Sequence, residues 1–281
     1  MNLSYSGVSA HARSTVANRS VAPLIIAVLV VFSVPSHAVA AGGKTITKLP
    51  YVIKKPGVYV LAKNLTTPLT SGAAIVVNAD GVTIDMKGFG IRYVPATPGV
   101  ATVATGIYCE GFSHLTIRNG CVEGFSWGIR VTSDPMVVID DITLRNTSVH
   151  GIFVMSHAAV IRRCSVLDTT NSSSVVGISA LGVGVHIADC LVYNTDSSAS
   201  SASCIFVIGS GSTIERNRVV NPSLNANTTA IETLGSMHIN DNHVTRANTG
   251  VIADGNSKLS RNLTTGCNLA FSGGILVEGN N

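Results

Sequence analysis

Residues 106–154 read GIYCEGFSHLTIRNGCVEGFSWGIRVTSDPMVVIDDITLRNTSVHGIFV, in which a glycine followed by isoleucine occurs three times. Pairs of a small and a β-branched residue, called anchor pairs below, recur along the chain every 20 to 27 residues. They are Gly106-Ile107, Gly128-Ile129, Gly151-Ile152, Gly177-Ile178, Cys204-Ile205, Ala230-Ile231, Gly250-Val251 and Gly274-Ile275. A period of this length in a strand-rich sequence is typical of one turn of a β-solenoid.

Further columns of residues keep register with the anchor pairs. A second strand ends in an apolar residue eight to ten positions after each anchor residue, at Ile117, Ile139, Ile161, Ile187, Ile214, Ile239 and Leu259. Three residues later come Gly120, Ile142, Cys164, Cys190, Asn217, Asn242 and Asn262, and two residues after these comes a mostly apolar third column. Alternate residues of each strand are apolar, as a sheet with one buried face requires. Each coil therefore reads as three short strands joined by turns.

Stacked coils place equivalent residues about 4.8 Å apart. The sequence therefore predicts an inward ladder of hydrogen-bonded asparagines at Asn217, Asn242 and Asn262. Cys164 and Cys190 continue the same column, and neighbouring coils bring them within reach of a disulfide. The alternative is a pair of buried thiols that act as small apolar side chains, and the sequence leaves both open.

The N-terminus has the pattern of a targeting segment. Residues 21–34 form an apolar run that follows His11, Arg13 and Arg19, and Ala38-Val39-Ala40 has the form of a cleavage site. We predict a signal peptide over residues 1–40 and a secreted or periplasmic location, with an uncleaved membrane anchor as the alternative. The β-helix domain then spans residues 41–281, and residues 44–65 are expected to cover its first coil.

The composition argues against one class of partner. Charged residues make up 12% of the chain, the net charge is +4, and lysine and arginine form no run. Nucleic acid is therefore not expected as a partner. The slight positive charge mildly favours acidic polymers.

The opening of the domain resembles that of secreted β-helix proteins. The segments that carry the resemblance are Pro56-Gly57-Val58-Tyr59-Val60-Leu61, Asn64-Leu65, Gly81-Val82-Thr83-Ile84-Asp85-Met86 and Gly88-Phe89, followed by the later anchor pairs. This pattern is similar to the pectate lyase-like superfamily. The resemblance implies an all-β, single-stranded right-handed parallel β-helix of about eight coils, with three short strands per coil. It leaves the activity open, because this superfamily includes lyases, hydrolases, epimerases and proteins without catalysis.

The resemblance also implies where a hydrolase would carry its acids. Polygalacturonase-like enzymes have carboxylates just before successive anchor pairs and a His-Gly pair before the last. His150-Gly151 matches that pair, but Thr105 and Trp127 stand where aspartates are expected. Hydrolysis with inversion needs two carboxyl groups around the scissile bond. Polygalacturonase-type hydrolysis is therefore disfavoured.

A lyase is the second enzymatic alternative, since it needs a base and neutralisation of a substrate carboxylate. Arg130, Tyr108 and His150 are the candidate catalytic residues, and Tyr108, Arg130 and Phe153 are expected in one outward column. The candidate ligand-binding residues are Glu110, Glu123, Arg118 and Arg162, the last two in a column with Asp140. No metal site is predicted, and Ca²⁺ would be needed only by a lyase.

An apolar outward column, Met155, Leu181, Ile208 and Leu234, predicts a covered or partnered face. The cover is expected to be the loop at residues 92–104, and the alternative is a homo-oligomer formed through this face. Three functions thus stay open. The first is non-catalytic binding of a polysaccharide or cell-envelope component, the second is lysis of an acidic polysaccharide, and the third is assembly through the apolar face.

Overall fold

The computed structural model describes residues 43–97, 101–133 and 135–281. The predicted signal peptide lies outside these residues. All regular secondary structure in the described ranges is β-strand. These ranges contain no helix that is long and apolar enough to cross a membrane.

The strands are short and follow one another closely along the chain. They are β1 (Lys44–Ile46), β2 (Tyr51–Ile53), β3 (Gly57–Leu61), β4 (Leu65–Thr67), β5 (Ala73–Val77), β6 (Val82–Asp85), β7 (Gly90–Tyr93), β8 (Thr105–Glu110), β9 (Leu115–Glu123), β10 (Trp127–Thr132), β11 (Val137–Thr147), β12 (His150–Met155), β13 (Val160–Arg162), β14 (Ser165–Asn171), β15 (Val175–Leu181), β16 (His186–Ala188), β17 (Leu191–Ser197), β18 (Ala202–Ile208), β19 (Thr213–Glu215), β20 (Arg218–Val220), β21 (Thr228–Leu234), β22 (His238–Asn240), β23 (His243–Thr245), β24 (Thr249–Ile252), β25 (Lys258–Ser260), β26 (Leu263–Thr265), β27 (Leu269–Ser272) and β28 (Ile275–Glu278).

The strands form two parallel sheets. A ten-stranded sheet, called the anchor sheet below, has the order β2-β5-β8-β10-β12-β15-β18-β21-β24-β27. The other 18 strands form the ladder sheet, to which a typical coil contributes two successive strands. A chain that returns to the same two sheets once per coil is a parallel β-helix, so the predicted fold class is confirmed. Residues 44–65, expected to cover the first coil, contribute strands to both sheets.

The anchor residues fill the core in register. Ile107, Ile129 and Ile152 are direct partners in adjacent strands, and all three are fully buried. The last predicted anchor pair is wrong. Phe271, not Ile275, continues the column by pairing with Val251, and Ile275 pairs with Lys258 in the ladder sheet. Gly274-Ile275 has the residue pattern of an anchor pair, but Ile275 begins the next strand, β28, in the ladder sheet.

A sharp bend lies in the ladder-sheet part of seven coils, at the residue two positions after the second-strand isoleucine or leucine. In β9 and β11 it lies within one strand, and in the later coils it joins two strands. This residue has a left-handed backbone, with φ between 52° and 59° at Asn119, Asp141, Arg163, Asp189, Arg216, Asp241 and Arg261. From Asp141 onward the column alternates between aspartate and arginine, a pattern visible in the sequence that the column analysis missed. Arg216 Nε donates to Asp189 Oδ1 at 2.8 Å, and Arg261 Nε donates to Asp241 Oδ1 at 2.7 Å. Hydrogen bonds from these arginines lower the pKa of Asp189 and Asp241.

The asparagine ladder begins directly after this bend and is longer than predicted. Asn217 Nδ2 donates to Asn242 Oδ1, Asn242 Nδ2 to Asn262 Oδ1, and Asn262 Nδ2 to Asn280 Oδ1, each at 3.0 Å. Asn280 is the rung that the sequence analysis missed, because the final coil is shorter. Each rung also donates to a strand carbonyl of the preceding coil, as Asn242 Nδ2 does to Ile214 O at 2.9 Å. The buried amides of the inner rungs are thus paired on both sides.

Cys164 and Cys190 extend the same column as free thiols. Cys164 Sγ donates to Ile139 O, and Cys190 Sγ donates to Ile161 O. These carbonyls occupy the same place in their coils as the carbonyls that the asparagine amides contact in later coils. Of the two alternatives left open by the sequence, this structure therefore shows buried thiols.

Candidate functional site

The outer face of the anchor sheet brings the three candidate catalytic residues together. Arg130 pairs in register with Tyr108 on one side and Phe153 on the other, as predicted. Three positions before Arg130 and Phe153 on these strands, Trp127 pairs with His150. Three successive coils therefore present one cluster of aromatic side chains around a single guanidinium group. It is called the Arg130 cluster below and consists of Tyr108, Trp127, Arg130, His150 and Phe153.

Arg130 lies between aromatic rings. Its Cζ is 4.9 Å from the centre of the Trp127 ring and 5.7 Å from that of Tyr108. Cation–π contacts of this kind hold the guanidinium in place without neutralising it. The buried Nε has no hydrogen-bond partner, and no carboxylate of the described residues forms an ion pair with Arg130. Arg130 thus carries a positive charge that is not neutralised by an ion pair with any described residue.

The aromatic rings also fix one another. Trp127 and His150 are stacked, with centroids 4.4 Å apart and an angle of 21° between the planes. Phe153 meets Trp127 and His150 edge-on, each at 5.4 Å between centroids. Packing by several neighbours restricts the ring orientations, so the surface is rigid before any ligand arrives. In the sequence, Trp127 stands out only as the residue in place of an aspartate. Its register with His150, one coil apart, was the signal that could have placed it in the site.

Tyr108 and Glu110 are linked at the edge of the cluster. The Tyr108 hydroxyl donates to Glu110 Oε2, and this hydrogen bond raises the pKa of Tyr108. Glu110 pairs in register with Thr132, as predicted. A tyrosine held in its protonated form is a poor base at neutral pH, whereas it remains a hydrogen-bond donor.

His150 is held in its neutral form. Burial, and secondarily the charge of Arg130, lowers the pKa of His150 to about 4. Its buried Nδ1 has no hydrogen-bond partner. A neutral imidazole with so low a pKa is a weak base, so His150 is better suited to packing against a ligand than to abstracting a proton.

The pKa of His150 makes stability depend on pH. The unfolded chain takes up this proton near pH 6.5 and the folded chain only near pH 4, so folding is destabilised as the pH falls between these values. We expect a loss of up to about 3 kcal/mol from this group. The measurement is the free energy of unfolding at pH 7 and pH 4.5 in the wild type and in His150→Phe, which keeps an aromatic ring but cannot titrate. An equal pH dependence in the two proteins would contradict the prediction.

The other predicted ligand-binding residues lie in the ladder sheet. Glu123 is in β9, where it forms an ion pair of 3.3 Å with Arg92, so it lies in the other sheet from Tyr108 and Arg130. Arg118 and Arg162 flank Asp140 in one column, as predicted. Arg118 Nε donates to the buried Asp85 at 3.1 Å, and Arg162 Nη2 donates to Asp140 at 3.0 Å. Burial of Asp85 opposes ionisation, but its pKa is lowered by the Lys87 N–H, the Asn119 amide and the charge of Arg118. These arginines are engaged in the fold, unlike Arg130.

The apolar column follows the Arg130 cluster on the anchor sheet. Met155, Leu181, Ile208 and Leu234 pair in register, as predicted. The loop at residues 92–104 was expected to cover them, and this expectation is wrong for its described part. Val94 and Val103 donate backbone hydrogen bonds to Thr67 and Thr70, at a different coil. Met155 and Leu234 remain 43% and 52% exposed.

Among the described residues, no three histidine, cysteine, aspartate or glutamate side chains are grouped so that they could hold a metal ion.

Comparison with known proteins concerns the fold. No family model matches the chain, and no curated protein matches it. Among solved structures, the Dettilon tailspike protein has 14% identity and a TM-score of 0.47, over 78% of this chain and 46% of the other. The pectate lyase Pel9A has 13% identity and a TM-score of 0.47, over 80% and 71%. A catalytic domain of a GH87 alpha-1,3-glucanase, in complex with tetrasaccharides, has 13% identity and a TM-score of 0.45, over 85% and 63%.

This chain thus spans about half of the tailspike chain and less than two thirds of the glucanase domain. The order of the strands in the two sheets gives the class of this chain, that of the parallel β-helix proteins. The activities of these proteins do not follow from a shared fold.

Proposed function

We propose that this protein binds an anionic polysaccharide on the outer face of the anchor sheet, with Arg130 as the group that contacts a carboxylate. The observation that carries the proposal is the guanidinium held against the rings of Tyr108 and Trp127, without an ion-pair partner among the described residues. Arginine binds carboxylates through paired, charge-assisted hydrogen bonds. The rings of the cluster offer apolar surface to the C–H face of a sugar. An elongated polymer suits this surface, because coils repeat every 4.8 Å or so along the helix.

The carboxylates of the same face support binding rather than hydrolysis. On the described strands of the anchor sheet they are Glu110 and Glu232, which lie five coils apart. At about 4.8 Å per coil this is about 24 Å, whereas glycosidases hold their two carboxyl groups within about 10 Å. Glu232 also accepts a hydrogen bond from Ser203 Oγ at 2.7 Å.

The test is a binding titration of the purified protein with a uronate-containing polysaccharide and a neutral one. We expect the anionic polymer to bind and Arg130→Gln to weaken binding about tenfold or more, because a hydrogen bond to a charged group contributes about 1.5–3 kcal/mol. Arg145→Gln is the matched control, since it removes an exposed charge from the ladder sheet. Equal losses in the two variants would mean that only net charge matters.

The samples of the same titrations can also be assayed for lyase activity, which is the enzymatic alternative. A lyase would release an unsaturated uronate, detected by its ultraviolet absorbance, and this release would require Arg130, Tyr108 or His150. Appearance of that product with the wild type, and its loss in Arg130→Gln, would replace binding by lysis as the function of the site.

Assembly is a second candidate function, favoured by the exposed Met155 and Leu234. If two copies meet through the apolar column, sedimentation velocity will show a concentration-dependent dimer that Leu234→Ser weakens at least fivefold. Leu263→Ser is the control, because Leu263 is 42% exposed on the ladder sheet. A wild type that stays monomeric over the concentration series would exclude assembly through this face.

A further inference from the structure

Glu232 stands in the same outward column of the anchor sheet as Arg130. The column runs in register from Arg130 through Phe153, Ser179 and Phe206 to Glu232. Four coil spacings of about 4.8 Å separate the strand positions of the two charged residues, which places them about 19 Å apart. This distance is longer than a disaccharide, so a polymer that contacts both residues contacts them with different sugars.

The surface between these two residues carries no charge of its own. Arg130 and Glu232 are the only lysine, arginine, aspartate or glutamate residues on the described strands of the anchor sheet from β10 to β21. Phe153 and Phe206 lie between them and are half-buried. An uncharged surface does not fix the register of a charged polymer, so the groups at its two ends determine which sugar is accepted at each end.

The fold holds one carboxylate oxygen of Glu232 and leaves the other available. Ser203 Oγ donates to Glu232 Oε2 at 2.7 Å, which holds the carboxylate in place. Oε1 has no hydrogen-bond partner among the described residues, and it is not one of the buried polar atoms, so it remains accessible to solvent. None of the described lysine, arginine or histidine residues forms an ion pair with this carboxylate. Glu232 thus presents an oxygen that a bound sugar can reach.

We propose that Glu232 is a specificity residue that admits an uncharged sugar and rejects a uronate. The protein then prefers polysaccharides in which uronates are separated by uncharged sugars. This inference rests on the proposed function, because Arg130 must hold a carboxylate of the same polymer. Glu232 Oε1 accepts a hydrogen bond from a sugar hydroxyl, whereas a uronate at this place would bring two carboxylates together. A polyuronate cannot avoid that contact by sliding, because every register presents a uronate to Glu232.

The test uses polyglucuronate and polymannuronate, each compared with the same polymer after partial reduction of its carboxylates to alcohols. We expect the wild type to bind the partially reduced forms about tenfold more tightly, although they carry less negative charge, because like charges in contact are strongly unfavourable. Glu232→Gln should raise the affinity for the unreduced polymers about tenfold and remove the preference. A gain of affinity cannot come from misfolding.

Two further variants control for charge and for the site. Glu278→Gln removes the same charge from the ladder sheet, so it should leave the preference as it is in the wild type. Arg130→Gln should weaken binding of the unreduced and the reduced polymers alike. A second measurement uses the disaccharide of glucuronate, which is too short to reach from Arg130 to Glu232. In a titration followed by chemical shifts, it should bind the wild type and Glu232→Gln equally.

The outcomes separate the two proposals. Equal affinity of the wild type for the unreduced and reduced polymers overturns the role of Glu232 and leaves the proposed function in place. An equal gain in Glu232→Gln and Glu278→Gln, or a gain for the disaccharide, does the same, because the effect would then be one of general charge. Failure of all four polymers to bind overturns the proposed function and the specificity with it.

Discussion

Asn242→Ala is expected to destabilise the protein by about 3–5 kcal/mol, because it removes an inner rung of the asparagine ladder. Asn242 Oδ1 accepts from both the backbone N–H and the side-chain amide of Asn217, each at 3.0 Å. Its own amide donates to Ile214 O and to Asn262 Oδ1. Alanine leaves two donors and one carbonyl without these partners in a region closed to water, and each unsatisfied buried group costs about 1–3 kcal/mol.

The end of the same ladder provides the control. Asn280 accepts equivalent hydrogen bonds from Asn262, at 3.1 Å and 3.0 Å, but it is partly exposed. Water can replace the lost partner there, so Asn280→Ala should cost only about 1 kcal/mol. The measurement is guanidinium unfolding of both variants, monitored by circular dichroism. An equal loss of unfolding free energy in the two variants would contradict the prediction, because it would show that burial of the hydrogen bonds makes no difference.

Gly151→Val is the second change with a large expected effect, of about 3 kcal/mol or more. A Cβ at Gly151 would lie 2.4 Å from Val166 Cγ1 and 2.6 Å from the backbone oxygen of Gly177 in the next coil. The coil spacing is fixed by the parallel hydrogen bonds on both sides of β12, so the strand cannot move away without breaking them. Valine adds further atoms to the same closed space.

Gly255→Val is the matched control, since no atom lies within 4 Å of a Cβ at that glycine and its backbone is not in the left-handed region. Its expected effect is within about 0.5 kcal/mol. The thermal unfolding midpoint should fall sharply for Gly151→Val and stay close to wild type for Gly255→Val. A tolerated Gly151→Val would mean that the coils can move apart to admit the side chain.

Most of the fold could be predicted from the repeat. An inward residue recurs once per coil, and each coil can bury its apolar face only against its neighbours, so columns in the sequence become columns in space. This is why the register of Tyr108, Arg130 and Phe153, the apolar column and three rungs of the ladder were confirmed. The prediction failed at Phe271 because Ala270-Phe271 lacks the small and β-branched pattern of an anchor pair. It failed at Asn280 because the spacing between rungs shortens there from 20 to 18 residues.

The chain alone thus determined the parallel β-helix and the neighbours of each strand residue, because hydrogen bonding between coils ties register to sequence spacing. Only the tertiary structure decided which side chains are free to act. It placed Glu123 with Arg92 in the other sheet and showed that Arg118 and Arg162 are paired with carboxylates. It left Arg130 against two aromatic rings, without an ion pair to any of the residues that the structure describes. Pairing of this kind depends on side-chain direction and burial, which the repeat does not encode.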